Sequence, residues 1–455
     1  MNVFAALVPH RTGRRLRRAL LAALRAAAPA GMALTSSQAA AEPARAPGSG
    51  RLVVASVGLR GEQSDAASSR VSLSRDGRFV VFTSWAHNLA PGNFGRTSHV
   101  YVRDLWTRTT ELVDADRAGR PGDGNAWDGR VSDDGRYVAF TSDADNLAGD
   151  SGGHSHVYVR DLRRRTTTMV DVDVDAAGRP ADRDSVEPQI SADGAAVVFM
   201  SRGTRLAGTP TGGEFNVYLR DLRRSRTVLV SAGLDGAPAD GVSYGPAVDA
   251  SHRYVAFASL ATNLVPGDAN HAGDVFLRDL VLGTTVLVSN ADGDVQGNDL
   301  AVGATISADG RYVGFASHAT NLAPGLPQDH ASHAFVRDVR ARRTVLLDAN
   351  ADAVVADGGS TWTGVSADGR YAVFMSTATN LVPAKRTKQW DVFLRDLRTG
   401  ELTLVSTGAG GAASDGDSWW PVLSADGRAV GFLGFGTTLT PHDTNGFPDV
   451  YVRFR

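Results

Sequence analysis

The chain has 455 residues, of which 47 are Lys or Arg and 49 Asp or Glu, with 42% hydrophobic residues and no cysteine. That balance excludes a disordered polyelectrolyte and a membrane-filling protein, and the missing cysteines exclude disulfides, thiolate metal sites and cysteine nucleophiles. Finer counts favour an all-β chain: 43 Asp stand against 6 Glu and 45 Arg against 2 Lys, beside 50 Gly, and Asp and Gly belong to caps and turns where Glu and Lys belong to helix surfaces.

Residues 1–41 differ in character from the rest. Arg11, Arg14, Arg15, Arg17 and Arg18 form a basic region, and an Ala/Leu stretch from Ala19 to Leu34 follows, interrupted by Arg25. Ser36-Ser37-Gln38-Ala39-Ala40-Ala41 then offers small residues to a signal peptidase. The segment reads as a signal peptide for the general route, or for the twin-arginine route given its paired arginines, with 42–50 as a short linker. A short amphipathic helix is the competing reading. Nothing later reaches the ~18 apolar residues of a membrane span. Without the six arginines of this segment, 41 basic residues face 49 acidic ones, a net charge of about −8. Such a surface argues against a nucleic-acid partner, whose phosphates need clustered positive charge. An exported, secreted or periplasmic monomer is expected.

After the linker comes a lone strand. Val54-Ala55-Ser56-Val57-Gly58-Leu59-Arg60-Gly61 aligns without a gap to Leu229-Val230-Ser231-Ala232-Gly233-Leu234-Asp235-Gly236, the fourth strand of a recurring unit. The unit's anchor is a Ser-x-Asp-Gly turn, with aspartates at Asp76, Asp134, Asp193, Asp309, Asp368 and Asp426 and Ser251-His252 in the fourth copy. Anchors lie 58 or 59 residues apart, and six residues past each stands Phe82, Phe140, Phe199, Phe257, Phe315, Phe374 or Phe432. Each copy holds four strand patterns; in the sixth they are 363–366, 370–376, 391–396 and 402–406, joined by hairpin signals such as Asp368-Gly369 and Thr399-Gly400. The chain ends on a third strand, 449–455, so the seventh copy lacks a fourth.

Seven equal four-stranded copies predict a seven-bladed β-propeller at 51–455, its ring closed by the amino-terminal strand pairing with the last blade. The Ser-x-Asp-Gly-Arg-Tyr-Val-x-Phe run and the Val-Phe-x-Arg-Asp-Leu run resemble the WD-like repeats of the TolB family. The resemblance covers 51–455 and implies the propeller fold and, by analogy, an exported protein-binding role. It departs from TolB in lacking a separate α/β domain and in having seven blades rather than six.

Residues that recur in every copy read as architecture. The Arg-Asp pairs (Arg103-Asp104 to Arg395-Asp396) suit a blade-to-blade hydrogen bond or a turn cap, and Leu89, Leu147, Leu206, Leu264, Leu322, Leu381 and Leu439 suit plugs under a loop. Function is expected where the copies differ, on the face carrying the long second-to-third and fourth-to-first loops. Trp127, Tyr244, Trp362, Trp419 and Trp420 all fall four or five residues before the anchor serine, and Arg70, Asp128 and Glu187 fill that slot in other copies. A channel mouth lined by these residues suits sugar rings or peptide side chains; the competing reading is that the rings only pack between blades.

Calcium is the candidate metal. Asp443, Asn445 and Asp449 in the seventh copy, and Asp268, Asn270 and Asp274 in the fourth, alternate oxygen side chains on glycine-containing loops, although Asx turns give the same letters. His154-Ser155-His156 is too short to name a zinc site. Gly149-Asp150-Ser151-Gly152-Gly153 spells the serine region of trypsin-like proteases but sits on another fold. The expected function is a non-catalytic binding module for a protein, peptide or glycan. The alternatives are a propeller-fold polysaccharide lyase or glycosidase using Arg70, Asp128, Arg130 and Glu187, and a scaffold in a cell-envelope assembly.

Overall fold

The computed structural model describes residues 50–455, apart from 93–94, 150, 174–177, 209, 386 and 442, together with all but the side chain of 409. The segment expected to direct export, 1–41, and the linker to residue 49 lie outside the described residues. Among them, seven antiparallel four-stranded sheets form the ring. The strands of blade 1 are Ser68–Leu73, Phe79–Ser84, His99–Asp104 and Thr109–Leu112, in spatial order. Blades 2 to 6 repeat this order, with inner strands Ala126–Val131, Ser185–Ile190, Ser243–Val248, Ala301–Ile306 and Ser360–Val365. Each inner strand touches the inner strands of both neighbouring blades, and that of blade 7, Ser418–Leu423, returns to blade 1. The sixth inner strand starts three residues earlier than expected and ends before Ser366, because a bulge interrupts the alternation from which it was read.

Each recurrent residue has one structural task. The phenylalanine stacks on the aromatic residue opposite it in the third strand, with centroids between 5.4 Å (Phe315–Phe335) and 6.0 Å (Phe82–Tyr101) apart in every blade. These rings are fully buried, so truncating one costs about 3–5 kcal/mol. The seven leucine plugs are buried too. In the anchor turn, the serine Oγ donates to the aspartate and accepts the backbone N–H that opens the second strand, as Ser307 does with Asp309 and Tyr312. The fourth copy reverses the pair: Ser251 donates to Asp249, and Asp249 accepts from the N–H groups of Arg253 and Tyr254. The turn therefore survives its altered sequence.

Both expected uses of the Arg-Asp pairs occur. The aspartate caps the following turn and holds the arginine of the anchor turn, as Asp104 does with the N–H of Trp106 and with Arg78 at 2.6 Å. The arginine reaches the preceding blade: Arg160 donates to the carbonyl of Ala115, and Arg337 to that of Ala291. A second tie runs between anchor turns. Arg75 N donates to Asp133 O, Asp133 N to Ala192 O, Ala250 N to Ala308 O, Ala308 N to Ala367 O, Ala367 N to Ala425 O, and Asp426 N back to Arg75 O.

The ring closes as expected. Leu52–Val54 pairs antiparallel with Asp449–Phe454, Val53 opposite Val452, as the outer strand of blade 7. The junction carries a buried lock found in all blades. At the start of each third strand, a side chain meets another from just beyond the fourth, in two versions: His99–Asp114 (2.6 Å), His156–Asp171 and His333–Asp348, or Ser231–Asn216, Ser289–Asp274, Ser406–Asp391 and Ser56–Asp449 (2.5 Å). The last of these joins residues 393 positions apart. Deleting residues 51–58 removes this strand and its serine, exposing a sheet edge and depriving the buried Asp449 carboxylate of its shortest hydrogen-bond donor. The expected result is loss of the cooperative thermal transition. A truncated protein melting like the full chain contradicts the closure. Ser56→Ala, which keeps the strand, should cost about 1–3 kcal/mol in chemical denaturation.

Candidate functional site

The bulge in the inner strand places the site. In all seven blades the pairing register slips opposite the recurrent phenylalanine, where two residues of the inner strand face one of the second. The first of the two lies in the left-handed region each time: Arg70 (φ 48°), Asp128 (54°), Glu187 (54°), Gly245 (59°), Gly303 (74°), Trp362 (57°) and Trp420 (53°). The second is proline at 188, 246 and 421, which a bulge tolerates because its ladder hydrogen bond is already missing. Side chains at the left-handed position meet across the ring. Glycine relieves the backbone strain in two blades, whereas the other five keep a side chain at a cost of about 1–3 kcal/mol each.

Arg70 is the centre of the cluster. Its Nε lies 3.1 Å from Asp128 Oδ1, and its guanidinium sits 4.9 Å from the ring of Trp420 and 5.2 Å from that of Trp362. The two indoles are 6.3 Å apart. Blades 1, 2, 6 and 7 thus contribute one interlocked group, in which Asp128 is buried and Arg70 retains 15% of its side-chain exposure. Glu187 completes the acidic side. Burial and the neighbouring Asp128 push its carboxyl up to about 7, against the opposing pull of Arg70, Arg130 and the N–H of Gly245. Arg130 donates to the carbonyl of Val71 at 3.3 Å, and its Nε is buried with no hydrogen-bond partner among the described residues. Blades 4 and 5 place glycine at this position; the Glu187 carboxyl reaches the N–H of Gly245, while a Cβ at Gly303 would meet nothing within 4 Å.

The structure therefore brings together Arg70, Asp128, Glu187, Trp362 and Trp420 from the expected set, with Arg130 beside them. The remaining three occupy the preceding slot. Tyr244 is fully buried, Trp419 is half-buried between Phe435 (4.4 Å, edge-on) and Trp420 (5.8 Å) against the core shared by blades 7 and 1, and Trp127 pairs opposite Thr141. Sequence reading did not separate the two slots, nor did it find Gly245 and Gly303. The signal was present in Pro188, Pro246 and Pro421, which break a central strand and mark the bulge.

The acidic loops are closed by protein donors. Asp449 accepts from Ser56, Ser64 and Asn445, and Asp443 accepts from Tyr451. Asp274 accepts from Ser289, Asn270 and Gln296, whose amide also reaches Asp268. In blade 6 the buried ammonium of Lys385 bonds Asp391 and the carbonyls of Thr387 and Gln389. In blades 4 and 7, the two expected to hold calcium, amide nitrogens bond these carboxylates, and among the described residues no group of three or more His, Asp or Glu is arranged to hold a metal ion. Around Ser151, His156 bonds Asp171 through Nδ1 and the Ser151 carbonyl through Nε2, while Ser151 Oγ donates to Asp145. His156 meets the serine carbonyl and not its hydroxyl, so this is the buried lock of blade 2 and not a catalytic triad.

No protein-family model matches the chain, and no curated protein matches it. Solved structures similar to it include propellers. An oligogalacturonate lyase in complex with manganese is 14% identical, with a TM-score of 0.50 over 89% of this chain and 98% of that one. The β-propeller domain of the Trilobed protease from Pyrococcus furiosus, which has an open velcro topology, is 11% identical (TM-score 0.49, 81% and 89% covered). TolB from Acinetobacter baumannii is 13% identical (TM-score 0.39, 82% and 80% covered). At these identities the likeness is one of fold. Among the described residues no helix is long and apolar enough to cross a membrane.

The Glu187 carboxyl makes stability pH-dependent in a defined direction. It ionises near 4.5 ordinarily and near 7 in the folded protein, so between those values the folded state holds a proton that the unfolded chain has lost. Stability from this group therefore falls as pH rises through that window. Glu187→Gln should lose less stability than the unaltered protein between about pH 5 and about pH 7 in denaturant titrations. Equal slopes would show that the carboxyl is not held protonated.

Proposed function

We propose that this protein is an exported, non-catalytic binding module that takes its ligand, a protein segment, peptide or glycan, into the central channel from the long-loop face. The observation that carries this reading is the ring of left-handed positions. Five blades keep charged or indole side chains in a conformation that glycine would adopt without strain, and these side chains meet at the axis. Structure alone gives no reason to retain them, since the neighbouring glycine-bearing blades have the same bulge. Residues 1–41 supply the export address in this reading. A second reading, a propeller enzyme acting on an acidic polysaccharide, is favoured by Glu187, whose carboxyl can gain or lose a proton near neutral pH beside two guanidinium groups; a lyase is also among the similar structures.

Trp362 and Trp420 provide the reporter. Titrating the protein with a panel of soluble peptides and glycans while following tryptophan emission should give a saturable change with at least one of them. That change should be lost in Trp420→Ala, checked by its melting transition, and the ligand should be recovered intact after prolonged incubation. Shortened ligand or an unsaturated product selects the enzyme reading. Binding that survives Trp420→Ala and Arg70→Ala unchanged contradicts a channel site.

A further inference from the structure

Arg70 is held by two indoles and a carboxylate. Trp362 and Trp420, whose rings are 6.3 Å apart, lie together toward one side of the guanidinium, and Asp128 takes the Nε side. Among the described residues, neither Nη1 nor Nη2 of Arg70 makes a hydrogen bond to protein, and the side chain remains partly exposed. A guanidinium with Nη1 and Nη2 uncommitted can present the fork of bidentate anion recognition, and its packing against the indoles and Asp128 lowers the ordering cost that a flexible arginine pays on binding.

The surrounding charges select the anion. Arg130 adds a second guanidinium whose Nε is buried and unpartnered, while Asp128 offsets one positive charge. With Glu187 protonated, one positive charge is left over, which matches a monoanion better than a phosphate dianion. A protonated Glu187 can also donate to that anion, whereas an ionised Glu187 repels it. The open position at Gly303, where a Cβ would meet nothing within 4 Å, is where the rest of a ligand can lie. Tyr244 is the other titratable group near Glu187, and burial pushes its hydroxyl far above the neutral range.

We propose that the channel takes its ligand through a carboxylate, bound edge-on to Nη1 and Nη2 of Arg70. This rests on the binding reading above and names the chemistry of its ligand. A uronic acid and a peptide carboxy terminus share that chemistry, so the test uses both: a glucuronic-acid disaccharide with its methyl ester, and a tripeptide with a free or amidated carboxy terminus. Affinities are read by calorimetry on the full chain. The free acid of at least one pair should bind about tenfold or more tightly than its neutral partner. Arg70→Lys should lose a similar factor, because an ammonium is a point charge without the fork. Affinity for the acid should weaken from about pH 6 to about pH 8, and Glu187→Gln should remove most of that dependence. The pair that discriminates identifies the source of the carboxylate. Acid and neutral partner binding alike, with loss in Trp420→Ala, overturns the carboxylate inference and leaves the channel reading standing. Binding indifferent to every channel variant overturns both, and failure of all four probes to bind overturns the inference.

Discussion

Seven inner strands converge on one axis, and the rest of the molecule follows from that crowding. A flat six-residue strand would carry alternate side chains straight into its neighbours. The bulge opposite each recurrent phenylalanine turns one residue per blade toward the axis and lets the next, often proline, pack behind it. Backbone hydrogen bonds from anchor turn to anchor turn then tie the blades together near the channel, while the strand-three arginines tie them farther out. Closure comes from Leu52–Val54 on Asp449–Phe454. It leaves no end blade with an open flank, and Ser56 and Asp449 repeat across the junction the lock that every other blade forms within itself.

Much of this was legible because it recurs. A phenylalanine at a fixed spacing, a leucine under each loop and an Asp-Gly turn each do the same job in successive blades, so the period alone exposes them. The third strands could be placed to the residue, as at Asp391–Asp396, because nothing interrupts their alternation. The inner strands could not. Their alternation fails at the bulge, so in the sixth copy the strand was read from Thr363 although it begins at Ser360. The lock was also hidden, since His99 with Asp114 and Asp274 with Ser289 share no letters, only a place in the fold. Likewise the acidic loops look like metal ligands in sequence, and only three dimensions show Asn270 and Gln296 pointing at Asp274.

The candidate site was half legible for the same reason. Its residues vary from blade to blade, which marked the region, but the slot facing the axis and the slot facing the adjacent blade are consecutive in sequence. Trp419 and Trp420 illustrate this. Their rings touch each other, and one packs edge-on against Phe435 while the other lies against Arg70. A ring of equivalent positions that are strained, variable and convergent gives the propeller a single adjustable centre without altering the scaffold. In this chain it is built as a guanidinium packed against a pair of indoles and a carboxylate, beside a glutamate whose proton is loosely held near neutrality.

The most direct test of the account is a crystal structure of the protein with its best carboxylate ligand bound. The account predicts the carboxylate oxygens on Nη1 and Nη2 of Arg70, with the guanidinium still against Trp362 and Trp420 and the ligand body over Gly303. A ligand seated on the outer loops, with the channel side chains unchanged and nothing on Arg70, would contradict it.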